Sequence, residues 1–285
     1  MSVSSLLRFH PIGLSVGVAL FLLPCLSVAG PPATSTPQAS YSSASRPNVA
    51  KVKKYKHIQW SSLNFTKALQ EANKTNRLIF VDMFATWCYP CKKYDSIVFS
   101  KSHVATYVHK HFVPLRRNGY QGEGNLLRRR YNCVTFPCLL VIDPQGNEVE
   151  RITRFHKANV FLERLKQIRA GKDTLASLEK KLAKDPTNQL IRFRVGYRLA
   201  YRGDARCVSY LRSVSQKPPK GFPHLAPKAL YVLGRIYYRN TRRDWHSVVR
   251  VFREYLKRFP NHRKASRVRR LMNRALYRIQ RRKRR

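Results

Sequence analysis

The chain has 285 residues, of which 57 are Lys or Arg and 14 are Asp or Glu, so its net charge is +43. Hydrophobic residues make up 43% and aromatic residues 11%, which supports a packed core and excludes a wholly disordered chain. Only one stretch, near the N-terminus, is apolar enough to approach a membrane span, so a multi-span membrane protein is also excluded. The net charge predicts attraction to anionic surfaces.

Residues 1–29 have the pattern of a secretory signal peptide. Arg8 precedes an apolar run over residues 12–23, and Ser27 and Ala29 are the small residues of a cleavage site, which predicts cleavage after Ala29. The alternative is an uncleaved membrane anchor. Export predicts a periplasmic or secreted protein of the cell envelope, where disulfides form and persist.

Composition divides the remainder of the chain into three parts. Residues 30–56 are rich in Ser, Pro, Ala and Thr up to residue 48 and lack apolar periodicity there, which predicts a flexible linker. Residues 57–171 carry both strand and helix patterns, whereas residues 172–285 carry helix patterns only. We therefore expect an α/β domain followed by an all-α domain.

The first domain contains a short apolar run, 78–84, that is typical of a strand buried on both faces. A CxxC motif follows this run directly, and a strong turn signal at 143–147 separates two later strands of a hairpin. In chain order the predicted elements are helix 62–76, strand 78–84, helix 94–99, helix 104–111, strand 112–115, helix 126–131, strand 139–142, strand 148–153 and helix 158–170.

Two segments of this domain resemble the thioredoxin superfamily. Residues 80–92, FVDMFATWCYPCK, resemble its active-site segment, and residues 131–143, YNCVTFPCLLVID, resemble its cis-proline segment and the strand after it. Within the superfamily, the layout is most similar to the periplasmic C-terminal domain of the DsbD-type disulfide-interchange proteins. The resemblance covers residues 57–170 and implies an α/β thioredoxin-like fold.

The CxxC motif, Cys88 to Cys91, predicts thiol–disulfide chemistry. A cysteine that opens a helix lies near unsatisfied backbone N–H groups and the positive end of the helix dipole, which stabilise its thiolate. Cys88 is therefore the predicted nucleophile, and Cys91, one turn on, is the resolving thiol. The alternative is half of a zinc site, but Cys133 and Cys138 fit the other half poorly. We expect no metal and no cofactor.

The resemblance also implies roles for two residues that precede the motif's second cysteine. Asp82 corresponds to the family's buried carboxylate near Cys91, where burial raises the pKa and makes the group a catalytic proton acceptor. The alternative for Asp82 is a strand-edge acid exposed to water. Trp87 corresponds to the tryptophan that packs over the active site, and its alternative is an ordinary core residue.

Pro137 is expected, by the same resemblance, to follow a cis peptide bond. That bond would place the backbone of Phe136 beside the sulfurs, where an extended substrate can pair with it. Phe136 stands where relatives often carry a smaller residue, which leaves the shape of the substrate groove open. Tyr89 and Pro90, between the two cysteines, complete the expected substrate-binding residues, and Pro90 is compatible with the first helical turn.

Three further cysteines remain after removal of the signal peptide, and the total of five is odd, so they cannot all pair within one chain. Cys133 and Cys138 depart from the usual family pattern. Cys138 is a second redox thiol, a partner of Cys133 or an inert buried residue, and the sequence leaves these alternatives open. Cys207 is expected to be an ordinary buried thiol.

The second domain, 172–285, holds 33 Lys or Arg and 6 Asp or Glu. Residues 229–260 resemble a tetratricopeptide repeat, and Gly196 and Gly234 occupy similar places in two apolar segments. The alternative is an irregular helical bundle. Helices are predicted over residues 174–184, 188–202, 205–215, 226–239, 245–258 and 263–281.

These observations favour an exported thiol–disulfide oxidoreductase whose partners are protein or small-molecule thiols and disulfides. The basic domain is expected to bind an anionic envelope polymer, a lipid headgroup or an acidic protein, and export disfavours nucleic acid as its partner. A merely solvated basic helix at 261–285 is the alternative for that segment. The competing hypothesis for the whole chain is a non-catalytic envelope scaffold or adaptor in which the CxxC motif forms a structural disulfide.

Overall fold

A computed structural model describes residues 54–239 and 244–283. The predicted signal peptide and residues 30–53 of the predicted linker lie outside the described residues. Tyr55, near the start of the described chain, packs against the core of the first domain, and its backbone N–H donates to the hydroxyl of Thr106 at 3.2 Å. Within 54–239 and 244–283, none of the helices combines the length and the apolar character that a membrane crossing requires.

The described residues form an α/β domain and then a helical region, as predicted. The strands are β1 (Leu78–Phe84), β2 (Phe112–Asn118), β3 (Cys138–Ile142) and β4 (Glu148–Ile152), and the helices are α1 (Phe65–Lys74), α2 (Tyr89–Tyr94), α3 (Ser102–His111), α4 (Gly122–Arg130), α5 (Ala158–Arg169), α6 (Leu175–Lys184), α7 (Gln189–Arg202), α8 (Cys207–Gln216), α9 (Leu225–Arg239), α10 (Trp245–Arg258) and α11 (Ala265–Lys283).

The four strands form one sheet in the order β2-β1-β3-β4. β1 pairs in parallel with β2 and antiparallel with β3, and β3 pairs antiparallel with β4, which gives the predicted hairpin. β1 therefore lies inside the sheet and has a neighbour on each side. Its residues are buried on both faces up to Met83, which confirms the interpretation of the apolar run.

The side chains of β1 alternate between two cores. Leu78 and Phe80 belong to a core that also contains residues of α3 and α5, and we call this side of the sheet the α3 face. Ile79 and Val81 belong to a core that contains residues of α1 and α4, which we call the α1 face. Because successive residues of a strand point to opposite faces, Asp82 lies on the α3 face.

The CxxC motif opens a helix, as the motif predicted. Cys88 is the N-cap of α2, which starts at Tyr89, and the helix predicted over residues 94–99 continues from it as a π-helical segment, Asp95–Phe99. The first turn of α2 contains Pro90. Pro90 fits there because the N–H that proline lacks would have no partner within the helix at that position.

The helical region contains the six predicted helices, α6 to α11, around one hydrophobic core. Two glycines allow close helix packing in this core. A Cβ atom on Gly196 of α7 would lie 2.8 Å from Cβ of Tyr210 on α8, and one on Gly234 of α9 would lie 2.1 Å from Cε1 of Phe252 on α10. The predicted similarity of these two positions thus extends to their packing, while the tetratricopeptide assignment stays a prediction.

A buried ionic cluster joins the helical region to the sheet. Glu150 of β4 is fully buried, and its carboxylate accepts from Arg198 Nε at 2.8 Å and from an Arg202 Nη at 3.0 Å, both on α7. Arg164 of α5 lies 3.5 Å from the same carboxylate. Burial by itself would raise the pKa of Glu150, but the guanidinium groups of Arg202 and Arg198 outweigh it and lower the pKa. The carboxylate is therefore charged and bridges the two parts of the chain.

Replacing Glu150 with Gln leaves three guanidinium groups around a neutral amide. We expect the free energy of unfolding at pH 7 to fall by about 3–5 kcal/mol, because a buried ion pair is broken and these groups keep only their pairs with Asp173 and Glu148. Urea unfolding measures the change. The matched control is Glu163→Gln, which removes the exposed pair with Lys166 and should cost less than about 1 kcal/mol. Equal losses in the two variants would contradict this assignment.

Candidate active site

The CxxC cysteines form a disulfide at the C-terminal end of β1, where the chain turns into α2. The Cα atoms of Cys88 and Cys91 are 5.3 Å apart. Cys88 is the N-cap of α2, and its sulfur accepts the backbone N–H of Cys91 at 3.1 Å. The amide that stabilises negative charge on this sulfur is therefore already directed at it, which supports the predicted roles of Cys88 as nucleophile and Cys91 as resolving thiol.

Both sulfurs are covered in this disulfide state, whereas the residues around them are not. Cys88 and Cys91 are buried, but Trp87 and Tyr89 on either side of Cys88 are each 67% exposed, and Pro90 is exposed. The alternative interpretation of Trp87 as an ordinary core residue is therefore wrong. Its ring makes an edge contact with Phe136, with the ring centroids 5.8 Å apart.

Trp87, Tyr120 and Phe136 form an aromatic rim beside the disulfide. The ring of Tyr120 lies 5.6 Å from that of Phe136 and 6.1 Å from that of Trp87, and it is half exposed. Tyr120 was missed by the sequence analysis. A usable signal was present, because Tyr120 follows β2 in a glycine-flanked turn, and the C-terminal ends of parallel strands such as β1 and β2 meet at one edge of the sheet.

The peptide bond between Phe136 and Pro137 is cis, which confirms that expectation. Pro137 is buried, and Phe136 packs both against the CxxC cysteines and against the core of the α1 face. Gly119 makes room for this ring, since a Cβ there would lie 2.6 Å from Phe136 Cζ. The larger residue at position 136 is thus accommodated by a glycine across the groove and becomes part of the aromatic rim.

Asp82 is buried beneath α2 on the α3 face, with 1% of its surface exposed, so the alternative of an exposed strand-edge acid is wrong. Burial raises its pKa to about 7, although the nearby Arg116 opposes that change. The charge of Asp82 also helps burial to raise the pKa of Tyr94 on α2, which places the carboxylate close to the active-site helix. A carboxyl group with a pKa near neutrality suits proton transfer.

Arg116 is a second residue that the sequence analysis missed. It lies opposite Asp82 in the parallel register of β1 and β2, and its Nε is 3.2 Å from Asp82 Oδ2. A terminal nitrogen of the same guanidinium donates to Asp95 at 2.8 Å, and the group lies over the ring of Phe84. The side chain therefore connects β1, β2 and the segment after α2, and its signal lay in the register of two strands distant in sequence.

The domain that carries this site is similar to known proteins. The thioredoxin-like domain family matches residues 65–169. The thiol:disulfide interchange protein DsbD of Haemophilus influenzae (strain PittEE) is 26% identical over 122 residues, covering 41% of this chain and 21% of that protein, and DsbD of Yersinia pestis is 28% identical over 115 residues, covering 39% and 19%. The chain thus spans about a fifth of the length of these curated relatives.

Two solved structures cover similar parts of the chain. A putative disulphide-isomerase from Bacteroides thetaiotaomicron is 37% identical, covers 41% of this chain and 96% of that chain, and has a TM-score of 0.37. The oxidised C-terminal domain of Neisseria meningitidis DsbD is 21% identical, covers 39% and 97%, and has a TM-score of 0.33. Residues 65–169 form a thioredoxin-like domain. The predicted fold class, this domain followed by a helical region, is confirmed.

The thioredoxin-like domain carries a second disulfide, between Cys133 and Cys138, whose Cα atoms are 6.0 Å apart. Of the alternatives left open by the sequence, the structure thus shows Cys138 as the partner of Cys133. The cis-proline loop brings the two together, although strand geometry alone disfavours contact at this spacing. Both lie in the core of the α1 face, on the other side of the sheet from Asp82, and Phe136 packs against this core and the CxxC pair alike.

Cys207 is buried and unpaired in α8, and burial raises its pKa to about 11, which fits an unreactive thiol. Among residues 54–239 and 244–283, no group of three or more His, Cys, Asp or Glu side chains is arranged to hold a metal ion. All four cysteines considered for a zinc site take part in the two disulfides.

The raised pKa of Asp82 predicts a pH dependence of stability. Between the ordinary value of 3.8 and the folded value of about 7, the folded protein keeps a proton that the unfolded chain releases. The unfolding free energy of the oxidised protein should therefore fall as pH rises through this window, by up to about 1.4 kcal/mol per pH unit, and level off above it.

Replacement of Asp82 with Asn should remove this slope, as measured by urea unfolding of the oxidised protein between pH 5 and pH 8. The matched control is Asp95→Asn, which changes the other carboxylate bound to Arg116 and should keep most of the slope. An identical pH dependence in Asp82→Asn and the parent would show that Asp82 is not the group that titrates.

Proposed function

We propose that this chain is an exported thiol–disulfide oxidoreductase that exchanges disulfides with protein or small-molecule thiol partners through Cys88 and Cys91. The observation that carries the proposal is the N-cap geometry of Cys88, whose sulfur already accepts a backbone N–H at the start of α2. The match of residues 65–169 to the thioredoxin-like domain family supports it. Resemblance to the DsbD-type proteins favours reduction or interchange over oxidation as the direction.

In the reducing direction, the Cys88 thiolate attacks one sulfur of a substrate disulfide, the substrate S–S bond breaks, and its other sulfur leaves as a thiolate. Cys91 then transfers its proton to Asp82 and attacks the sulfur of Cys88. This step forms the Cys88–Cys91 disulfide, releases the second substrate sulfur and lets the proton pass to a released thiolate. Two electrons have moved from the protein to the substrate, and a dithiol donor must return them.

The aromatic rim defines how a substrate would approach. Trp87 and Tyr120 expose apolar surface next to the covered sulfurs, and Tyr89 and Pro90 lie exposed on the other side of Cys88. An extended chain that passes between them would run alongside the backbone of Phe136 before the cis proline, where main-chain pairing is available. This arrangement favours substrates in which apolar or aromatic residues flank the reactive cysteine.

The basic helical region would supply a docking surface. α11 carries exposed arginines along its length, and among the described residues none of the cations from residue 263 to 282 has an ion-pair partner. We propose that this surface binds an anionic envelope polymer or an acidic protein, in keeping with export by the segment 1–29. The two equivalent glycine contacts, α7 with α8 and α9 with α10, support tetratricopeptide-like helix pairs as its framework.

Turnover tests the enzyme proposal directly. In an insulin-reduction assay with dithiothreitol as donor, Cys88→Ala should reduce the rate to the background of the reductant alone, because it removes the attacking sulfur. The matched control is Cys207→Ala, which removes the buried thiol of α8 and should retain the parent rate. Equal rates in the parent and Cys88→Ala would favour the non-catalytic scaffold, a reading that the burial of both active-site sulfurs also accommodates.

We propose a structural role for the Cys133–Cys138 disulfide, which would hold the loop that presents Phe136 and Pro137. The pair lies in the α1-face core, whereas Cys88 has exposed neighbours on both sides. A time course at a fixed concentration of dithiothreitol should therefore show the two disulfides reduced at separate rates, Cys88–Cys91 first, because access controls the rate of thiol–disulfide exchange.

Differential alkylation followed by mass spectrometry of the peptides resolves these two steps. The double variant Cys88→Ser/Cys91→Ser serves as the control, and in it the reduction of Cys133–Cys138 should be unchanged. If both pairs were reduced together in the parent, and the second pair resisted reduction in the double variant, Cys133 and Cys138 would instead be a redox pair that exchanges electrons with the active site.

A further inference from the structure

A cavity lies where the thioredoxin-like domain meets the helical region, and the proposed thiol chemistry makes no use of it. The cavity has a volume of about 350 Å³ and is lined by the end of β4 and the residues after it, by α7, and by Lys228 of α9. Pockets that bind small molecules have volumes from roughly 300 to 1,000 Å³, so this space is large enough for a compact ligand.

The cavity is strongly cationic. Six of its lining residues are cations, namely Arg151, Arg154, Arg164, Arg194, Arg198 and Lys228. Asp173 is the single carboxylate among the lining residues that the structure describes. Four of the six have carboxylate partners. Arg151 pairs with Glu148, Arg164 and Arg198 pair with both Glu150 and Asp173, and Arg194 pairs with Asp173.

The other two cations have no such partner. Within residues 54–239 and 244–283, neither Arg154 nor Lys228 forms an ion pair, and both lie over aromatic rings of α7 instead. Lys228 Nζ is 5.1 Å from the ring centre of Phe193 and 5.7 Å from that of Tyr197, and the guanidinium carbon of Arg154 is 5.9 Å from the ring centre of Tyr197. One cation comes from each part of the chain, and the two face the same ring.

This arrangement brings like charges together at a partly buried position. Lys228 is half-buried, and burial together with the charge of Arg154 lowers its pKa. Burial, Arg154 and Arg164 likewise lower the pKa of His156 in the same wall. A cation that is only solvated would lie on an outer face with its charge in water, as those of α11 do, whereas Lys228 is held over two rings inside a cavity that is also lined by five guanidinium groups. A bound anion would neutralise the positive charge that has no carboxylate partner in the cavity.

We propose that this cavity binds a small polyanion with two or more phosphate or carboxylate groups. Guanidinium groups present paired donors that match the oxygens of these groups, and Arg154 and Lys228 supply the charge that no carboxylate of the described chain neutralises. The aromatic rings of Phe193 and Tyr197 form an apolar wall for the carbon skeleton of the ligand. The proposal concerns a binding function that is independent of disulfide exchange at Cys88.

Isothermal titration calorimetry of the full-length oxidised protein tests this, with pyrophosphate and citrate as separate probes in buffers matched for ionic strength with sodium chloride. We expect saturable binding of one molecule per chain for at least one probe, and the tighter of the two identifies phosphate or carboxylate as the preferred group. The double variant Arg154→Gln/Lys228→Gln should weaken binding by about tenfold for each cation removed.

The matched control is Arg253→Gln/Lys257→Gln, which removes the same two charges from exposed positions on α10 and should leave the affinity within about twofold, since distant surface charges are screened. The cavity variant should unfold at the same or a higher temperature than the parent, because it removes unpaired like charges. If that double variant fails to fold, Lys228→Gln alone tests the same prediction. Absence of saturable binding for both probes, or equal weakening in the cavity and control variants, would overturn the proposal.

Discussion

The candidate active site depends on one hydrogen bond, in which the backbone N–H of Cys91 is donated to the sulfur of Cys88. It requires that β1 end at the point where α2 begins, so that Cys88 occupies the N-cap with its own backbone extended. β1 is one of the two interior strands of the sheet, and its pairing with β2 on one side and β3 on the other fixes its position. The pairing of β1 on both sides thus sets the position of the Cys88 sulfur.

Two buried carboxylates lie in this sheet, and their surroundings shift their pKa values in opposite directions. Asp82 has a single guanidinium beside it, so burial dominates and raises its pKa to about 7. Glu150 is surrounded by Arg164, Arg198 and Arg202, whose charges outweigh burial and lower its pKa. The first is suited to accepting and releasing a proton, whereas the second is a permanent anion that fastens α7 to β4.

The loop before the cis proline connects these parts of the molecule. Asn132 donates from its side-chain amide to the carbonyl of Arg202 at the end of α7, at 2.9 Å. The Cys133–Cys138 disulfide closes the loop, and Phe136 within it reaches the aromatic rim. A single short segment therefore contacts the helical region at one end and the groove beside the CxxC cysteines at the other. It connects the helical region to the surroundings of these cysteines.

The sequence by itself determined the local features of this protein. The apolar run of β1, the CxxC motif, the hairpin turn and the six helices follow from periodicity and turn residues, and the resemblance to the thioredoxin superfamily supplied the burial of Asp82 and the cis bond before Pro137. The tertiary structure alone decided which distant residues meet. Arg116 contacts Asp82 because the register of β1 and β2 sets them opposite each other. Tyr120 contacts Trp87 because two parallel strands end at the same edge of the sheet. Lys228 and Arg154 lie over the same ring of α7, the helix that Glu150 binds to β4. Periodicity within a segment reports which side is buried, but it carries no information on what lies across an interface, and the contacts of Arg116, Tyr120 and Lys228 are all of that second kind.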